Sequence, residues 1–163
     1  MSSKIIRQLK IKKLSLEKAP LDIFSKLYSQ HENAYILESI EGPKKLSQYS
    51  FIGFSPVATI TIKNGESTTL NKRTGEKQTK KVDEPLSAIA KTLKSLPGFL
   101  DQRFVGGAVG YIGYDAVRYW EKLPEKVVDD QKFPDVKVGI FDDGKRTTSI
   151  VLFSCIKLTL VVI

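Results

Sequence analysis

Glu38 and Ser39 set a carboxylate beside a hydroxyl at the end of a short apolar run, Ala34 to Leu37. A loop carrying Gly42, Pro43, Lys44 and Lys45 follows. Beyond it, Gln48, Tyr49 and Ser50 add an amide, a phenol and a second hydroxyl at the head of a β-prone aromatic run ending at Phe54. Two strands joined by such a loop can present polar groups at the edge of a packed sheet, with Leu37 as an apolar neighbour. That arrangement suits the binding of a small ligand.

Other residues with chemical potential are fewer. The single histidine, His31, lies in a polar Gln30-His31-Glu32-Asn33 turn and is expected to be a solvated turn residue. The single cysteine, Cys155, lies in an apolar run and reads as a small buried hydrophobe. One of each cannot assemble a typical Cys/His zinc site or a Cys-His dyad. One cysteine also forms no intramolecular disulfide, which fits a reducing, cytoplasmic setting. The glycines of Phe104 to Tyr114 match neither Gly-x-Gly-x-x-Gly nor Gly-Lys-Ser/Thr. In a β-prone run they mark close backbone approach or a bulge. Asp129 and Asp130 sit in a charged stretch and read as an exposed loop rather than an acid–base pair.

The 163 residues suffice for one domain with a core, and 41% hydrophobic with 27% charged residues is ordinary for a globular chain. The net charge is +8, from 26 Lys and Arg against 18 Asp and Glu. A basic nucleic-acid-binding module is one reading of that charge. The basic residues are scattered lysines, arginine is scarce and no recognition-helix pattern is present, so a generally basic surface without nucleic acid is preferred. The N-terminus lacks the apolar core of a signal peptide. The apolar stretch from Ile150 to Ile163 is shorter than the roughly 20 residues of a membrane helix and is interrupted by Lys157, so no membrane partner is expected.

The elements that would position these groups follow from periodicity. Residues 4–14 predict a basic edge strand. Pro20 opens a helix whose apolar face is Leu21, Phe24, Leu27 and Tyr28. Strands are predicted over Ala34–Leu37, Tyr49–Phe54, Val57–Ile62, Ser67–Leu70 and Gln78–Val82, with Asn64-Gly65 the strongest hairpin signal. Asp83 is expected to cap a second helix buried through Leu86, Ile89, Leu93 and Leu96. A glycine-rich strand follows, then a helix capped by Asp115 over Ala116 to Leu123. The strand Val136–Phe141, a turn at Asp142-Asp143-Gly144 and one or two buried strands over 147–163 complete the chain. The fold class is α+β, with an antiparallel sheet and helices packed on one face.

Two long stretches, in this order, resemble the N-terminal region of anthranilate synthase component I. LESIEGPKKLSQYSFIGFSP is similar to that family's Leu-Leu-Glu-Ser, loop and Arg-Tyr-Ser-Phe-Ile-Gly motif. FVGGAVGYIGYDAVRYWE is similar to its Gly-Gly-x-Val-Gly-Tyr-x-x-Tyr-Asp stretch, and FPDVKVGIFDD follows in the same order. The resemblance covers about residues 15–143. Aminodeoxychorismate synthase component I shares the architecture, while the intact Leu-Glu-Ser and Tyr-Ser-Phe-Ile-Gly favour the anthranilate enzyme.

The resemblance implies part of a layered sandwich and an enzyme, a lyase, that makes anthranilate from chorismate with Mg²⁺ and a glutamine amidotransferase subunit, component II. It places the chorismate and metal residues in a C-terminal domain. Residues 1–163 are then expected to be a single N-terminal domain without catalytic residues, metal ligands or a cofactor of its own. Lys145 to Ile163 departs from the family's Val-Phe-Asp-His strand and reads as an atypical, truncated or shifted tail. The resemblance also implies one wall of an L-tryptophan feedback site: Ser39 first, then Glu38, with Leu37, Gln48, Tyr49 and Ser50 around them. An amino-acid ligand needs an anion near its ammonium, donors near its carboxylate and an apolar slot. Where the family carries a basic residue before the tyrosine, this chain has Gln48, which removes one charge; Lys44 and Lys45 could replace it. If the missing half covers the sheet, an apolar face is expected to be exposed.

Overall fold

The computed structural model describes residues 10–14, 18–38, 50–94, 107–124, 128–141, 143–147, 150–154 and 160–162, with the backbone alone for 10–14, 94, 143–147, 150–154 and 160–162. In chain order the elements are β1 (Lys10–Leu14), α1 (Pro20–Tyr28), β2 (Ala34–Glu38), β3 (Ser50–Phe54), β4 (Ala58–Lys63), β5 (Glu66–Asn71), β6 (Lys77–Lys81), α2 (Pro85–Lys94), β7 (Gly107–Ile112), a 3₁₀ helix (Tyr114–Tyr119), β8 (Val136–Phe141), β9 (Asp143–Thr147), β10 (Ile150–Ser154) and β11 (Leu160–Val162). They form an α+β fold in which the strands divide between two sheets. One runs β1-β10-β9-β3-β2 and the other β11-β7-β8-β4-β5-β6. Every pairing between these strands is antiparallel except that of β11 with β7.

The second sheet grows from the Asn64-Gly65 hairpin. Both residues have positive φ, 49° and 76°, the conformations a tight two-residue hairpin needs and that Asn and Gly adopt most readily. β5 continues through a turn held by Asn71, whose side-chain oxygen accepts from the Arg73 and Thr74 amides at 2.9 and 3.2 Å. The core lies on one face of this sheet. Ile60 and Ile62 of β4 stand beside Val138 and Val136 of β8, and Ile140 beside Ala108 of β7. Ile89 and Leu93 of α2 cover them from outside, and Ala116 joins from the 3₁₀ helix. Burying a Val or Ile of this kind stabilises by roughly 1.5–3 kcal/mol before entropy is charged.

Gly110 of β7 shows why glycine recurs in that strand. A Cβ there would overlap the Lys137 carbonyl oxygen and come within 2.7 Å of Val138 Cα. The close-approach reading therefore holds at this position.

In the first sheet, α1 packs on β2 and β3 through Ile23, which meets Ile52, with Phe24, Leu27 and Ile36 around them. The expected face is corrected here. Leu21 and Tyr28 are 57% and 64% exposed, because a short helix seated on two strands buries only the row centred on Ile23. The opposite face meets the other sheet, where Tyr35 and Phe141 pack edge to face with ring centroids 4.8 Å apart.

Other local expectations change as well. Glu84, not Asp83, caps α2: its carboxylate accepts from the Leu86 and Ser87 amides. Gly113 rather than Asp115 precedes a 3₁₀ helix rather than an α-helix, and Asp115 instead pairs with Arg118 at 3.3 Å. Asp143 and Gly144 lie in β9, not in a turn. His31 is half-buried, its ring 4.5 Å from that of Phe54 and its Nδ1 2.8 Å from Ser55 Oγ. Leu96 and Cys155 lie outside the described residues.

Candidate functional site

β2 and β3 pair in a register that sets Glu38 opposite Ser50 and Leu37 opposite Phe51. Ser50 Oγ donates to Glu38 Oε1 at 3.0 Å. The pair stands at the open end of the β2–β3 ladder, where the chain leaves for residues 39–49. β2 is the outer strand of its sheet, so Glu38 is exposed while Ser50 is half-buried between β2 and β9. Side chains alternate along a strand, which puts Glu38 and Ser50 on one face and Leu37 with Phe51 on the other. Ser39, Gln48 and Tyr49 lie outside the described residues. What the structure brings together is an exposed carboxylate held by a hydroxyl, an arrangement able to receive an ammonium group.

A second polar centre was not singled out by the sequence. Asp135, 7% exposed, receives the Asn64 amide and the Tyr119 hydroxyl on one oxygen, both at 2.9 Å. Lys63 Nζ lies 3.3 Å from its other oxygen, and Gly65 donates to Tyr119 Oη at 2.8 Å. Lys63 also reaches Asp129 at 2.5 Å. That contact holds the Lys63 ammonium above its usual range and the Asp129 carboxyl below its own. Burial pushes the Tyr119 phenol up. The partners converge from the hairpin, the 3₁₀ helix and the entry to β8, so the centre ties three elements together. The available signal was an Asp before a strand and an Asn-Gly turn, but no sequence spacing links residues 71 apart.

Beside this centre lies a cleft of about 770 Å³ walled by Tyr111, Tyr114, Arg118 and Phe133 among others. Neither Leu37, Glu38 nor Ser50 lines it. Among the described residues, the exposed large apolar side chains include Tyr114, Val128 and Phe133 at this cleft. Asp129 is exposed as expected. Among the described residues no group of three or more His, Cys, Asp or Glu side chains converges as a metal ion requires, and the Lys63 ammonium bridges Asp129 and Asp135. Among them, too, no helix is long and apolar enough to cross a membrane.

Comparison with known proteins gives a consistent result. Over 142 residues, 86% of this chain, it is 34% identical to anthranilate synthase component 1 of Methanothermobacter marburgensis. Over 140 residues it is 33% identical to anthranilate synthase component 1 of Mycobacterium tuberculosis. Aminodeoxychorismate synthase component 1 of Bacillus subtilis matches 126 residues, 76% of this chain, at 32% identity. The chain spans 29%, 26% and 25% of these relatives, less than a third of their length. A crystal structure of anthranilate synthase component I from Streptococcus pneumoniae aligns over 86% of this chain and 29% of its own, with a TM-score of 0.47 and 21% identity. No protein-family model matches.

Proposed function

The chain is a homologue, over most of its length, of anthranilate synthase component I and aminodeoxychorismate synthase component I, and we propose that it supplies the N-terminal regulatory and structural part of an anthranilate synthase. In this reading it carries one wall of an L-tryptophan feedback site. The observation that carries the proposal is the Glu38–Ser50 pair at the open end of β2–β3. Glu38 offers an anion for the amino acid's ammonium, and Ser50 holds that carboxylate in place. On this reading Ser39, Gln48 and Tyr49 complete the same wall, while Leu37 lies on the other face of β2 with Phe51. Chorismate and Mg²⁺ chemistry belongs, on this reading, to the part of the longer relatives outside the matched region. A glutamine amidotransferase subunit is the expected partner, in the cytoplasm. The aminodeoxychorismate reading has its own support in the 32% identity to the Bacillus subtilis protein, and the product formed separates the two.

The test is L-tryptophan calorimetry on an enzyme in which this chain replaces the matching portion of the Methanothermobacter marburgensis relative. Losing a hydrogen bond to a charged group costs roughly 1.5–3 kcal/mol, so Glu38→Ala and Ser39→Ala should each weaken binding about tenfold or more. Unchanged affinity in both variants would remove these residues from the site.

A further inference from the structure

Seven large apolar side chains are exposed among the described residues. Three of them, Tyr114, Val128 and Phe133, stand around the cleft beside Asp135, at 86%, 84% and 67% exposure. A fourth, Trp120, packs edge to face on Tyr119 of the same cleft. Single exposed apolar residues are ordinary on a protein surface, whereas a grouped set marks a surface that meets another molecule. Aromatic residues and arginine are also the usual anchors of protein interfaces, and Arg118 lines this cleft with them.

The buried part of the cleft offers little to a small ligand. Both Asp135 oxygens are taken, by Asn64 and Tyr119 on one and by Lys63 on the other. The apolar groups stand instead at the exposed rim. The rim also has a sign. Asp115 pairs with Arg118, and Asp129 with Lys63. Among the described residues Asp130 meets no cation, only the Gln131 amide at 3.3 Å. Four aspartates line the cleft against Lys63 and Arg118, so it is locally acidic in a chain whose net charge is +8. The segment that carries Val128 and Phe133 is held in place: Lys63 grips Asp129, whose other oxygen accepts from the Lys132 amide at 2.9 Å. A surface already formed loses little ordering entropy when it docks a partner.

We propose that this cleft docks a segment of a partner protein in which an apolar side chain stands beside a lysine or arginine. The apolar side chain enters between Tyr114 and Phe133, and the cation reaches Asp130. The surface is separate from the Glu38–Ser50 pair, which does not line the cleft, and does not depend on the tryptophan reading.

The experiment selects a random heptapeptide phage library on the 163-residue chain, after removing phage that bind the double variant Tyr114→Ser/Phe133→Ser. Both residues are exposed, so this variant should keep its NMR spectrum away from the cleft. Enriched peptides should join an aromatic or aliphatic residue to Lys or Arg. A synthetic peptide of the enriched sequence should give saturating amide shifts centred on Tyr114, Arg118, Asp130 and Phe133. It should bind the double variant at least about tenfold more weakly and Asp130→Asn about threefold more weakly. No enrichment, enrichment of acidic or purely apolar sequences, shifts centred elsewhere or an affinity unchanged in Asp130→Asn overturns the proposal. So does a concentration-dependent dimer in sedimentation that the double variant abolishes, because a second copy of the chain would then be the occupant.

Discussion

Asp135 is the residue on which most polar contacts converge, and its behaviour can be predicted from its partners. Replacing it with alanine strands the Asn64 amide, the Tyr119 hydroxyl and one side of Lys63. Breaking a buried charged centre from one side costs about 3 kcal/mol, so the urea midpoint of Asp135→Ala should fall sharply. Asp129→Ala should leave it nearly unchanged, since that carboxylate is half-exposed and its pairing is solvent-screened. Equal effects would mean that Lys63, not Asp135, holds the centre together. The contrast was not legible in the sequence, which presents both as aspartates near prolines and loops. Burial separates them, and burial is set by a hairpin far away along the chain. The Glu38–Ser50 pair was more accessible to reading, because both residues flank one loop and an antiparallel register brings loop-flanking residues together.

At the scale of elements, glycine spacing and capping carry predictions. Gly110→Ala drives a methyl into the backbone of β8, which cannot yield as a flexible side chain can. Overpacking of this kind costs about 1–3 kcal/mol, so denaturant unfolding should show a matching loss. A neutral outcome would contradict the close approach. Glu84 carries the acid dependence of α2. Hydrogen bonds from Ser87, then Leu86 and Trp120, hold its carboxyl below the ordinary 4.5. A lowered folded value means the stabilisation is present above about pH 4.5 and fades as pH falls through the folded value. Glu84→Gln should therefore lose stability near neutral pH and flatten the acid limb, read by thermal melts from pH 7 to 3. An acid limb of unchanged slope would contradict the cap. The sequence placed both helices and the Asn64-Gly65 hairpin, because those signals are local. On α1 it placed Phe24 and Leu27 correctly but also Leu21 and Tyr28, which are exposed, because which row is buried depends on the strands beneath; it also chose Asp83 rather than Glu84 as the cap of α2.

For the whole molecule, the α+β class and antiparallel pairing were readable, while the division into two sheets was not. Alternation predicts strands but not which strands become neighbours; here β3 pairs with β9 and β1 with β10, across most of the chain. The two sheets touch where Tyr35 meets Phe141, so the β2–β3 strands that bear Glu38 and Ser50 are packed against the second sheet. In the proposed reading, that packing links a ligand at the strand end to the rest of the fold. The most direct test of the proposed role uses the enzyme in which this chain replaces the matching portion of the Methanothermobacter marburgensis relative, supplied with chorismate and ammonia. The product is identified with and without L-tryptophan. The account predicts anthranilate, formed at a rate that L-tryptophan suppresses and that Glu38→Ala restores. A rate indifferent to L-tryptophan, or one that Glu38→Ala leaves suppressed, would contradict it.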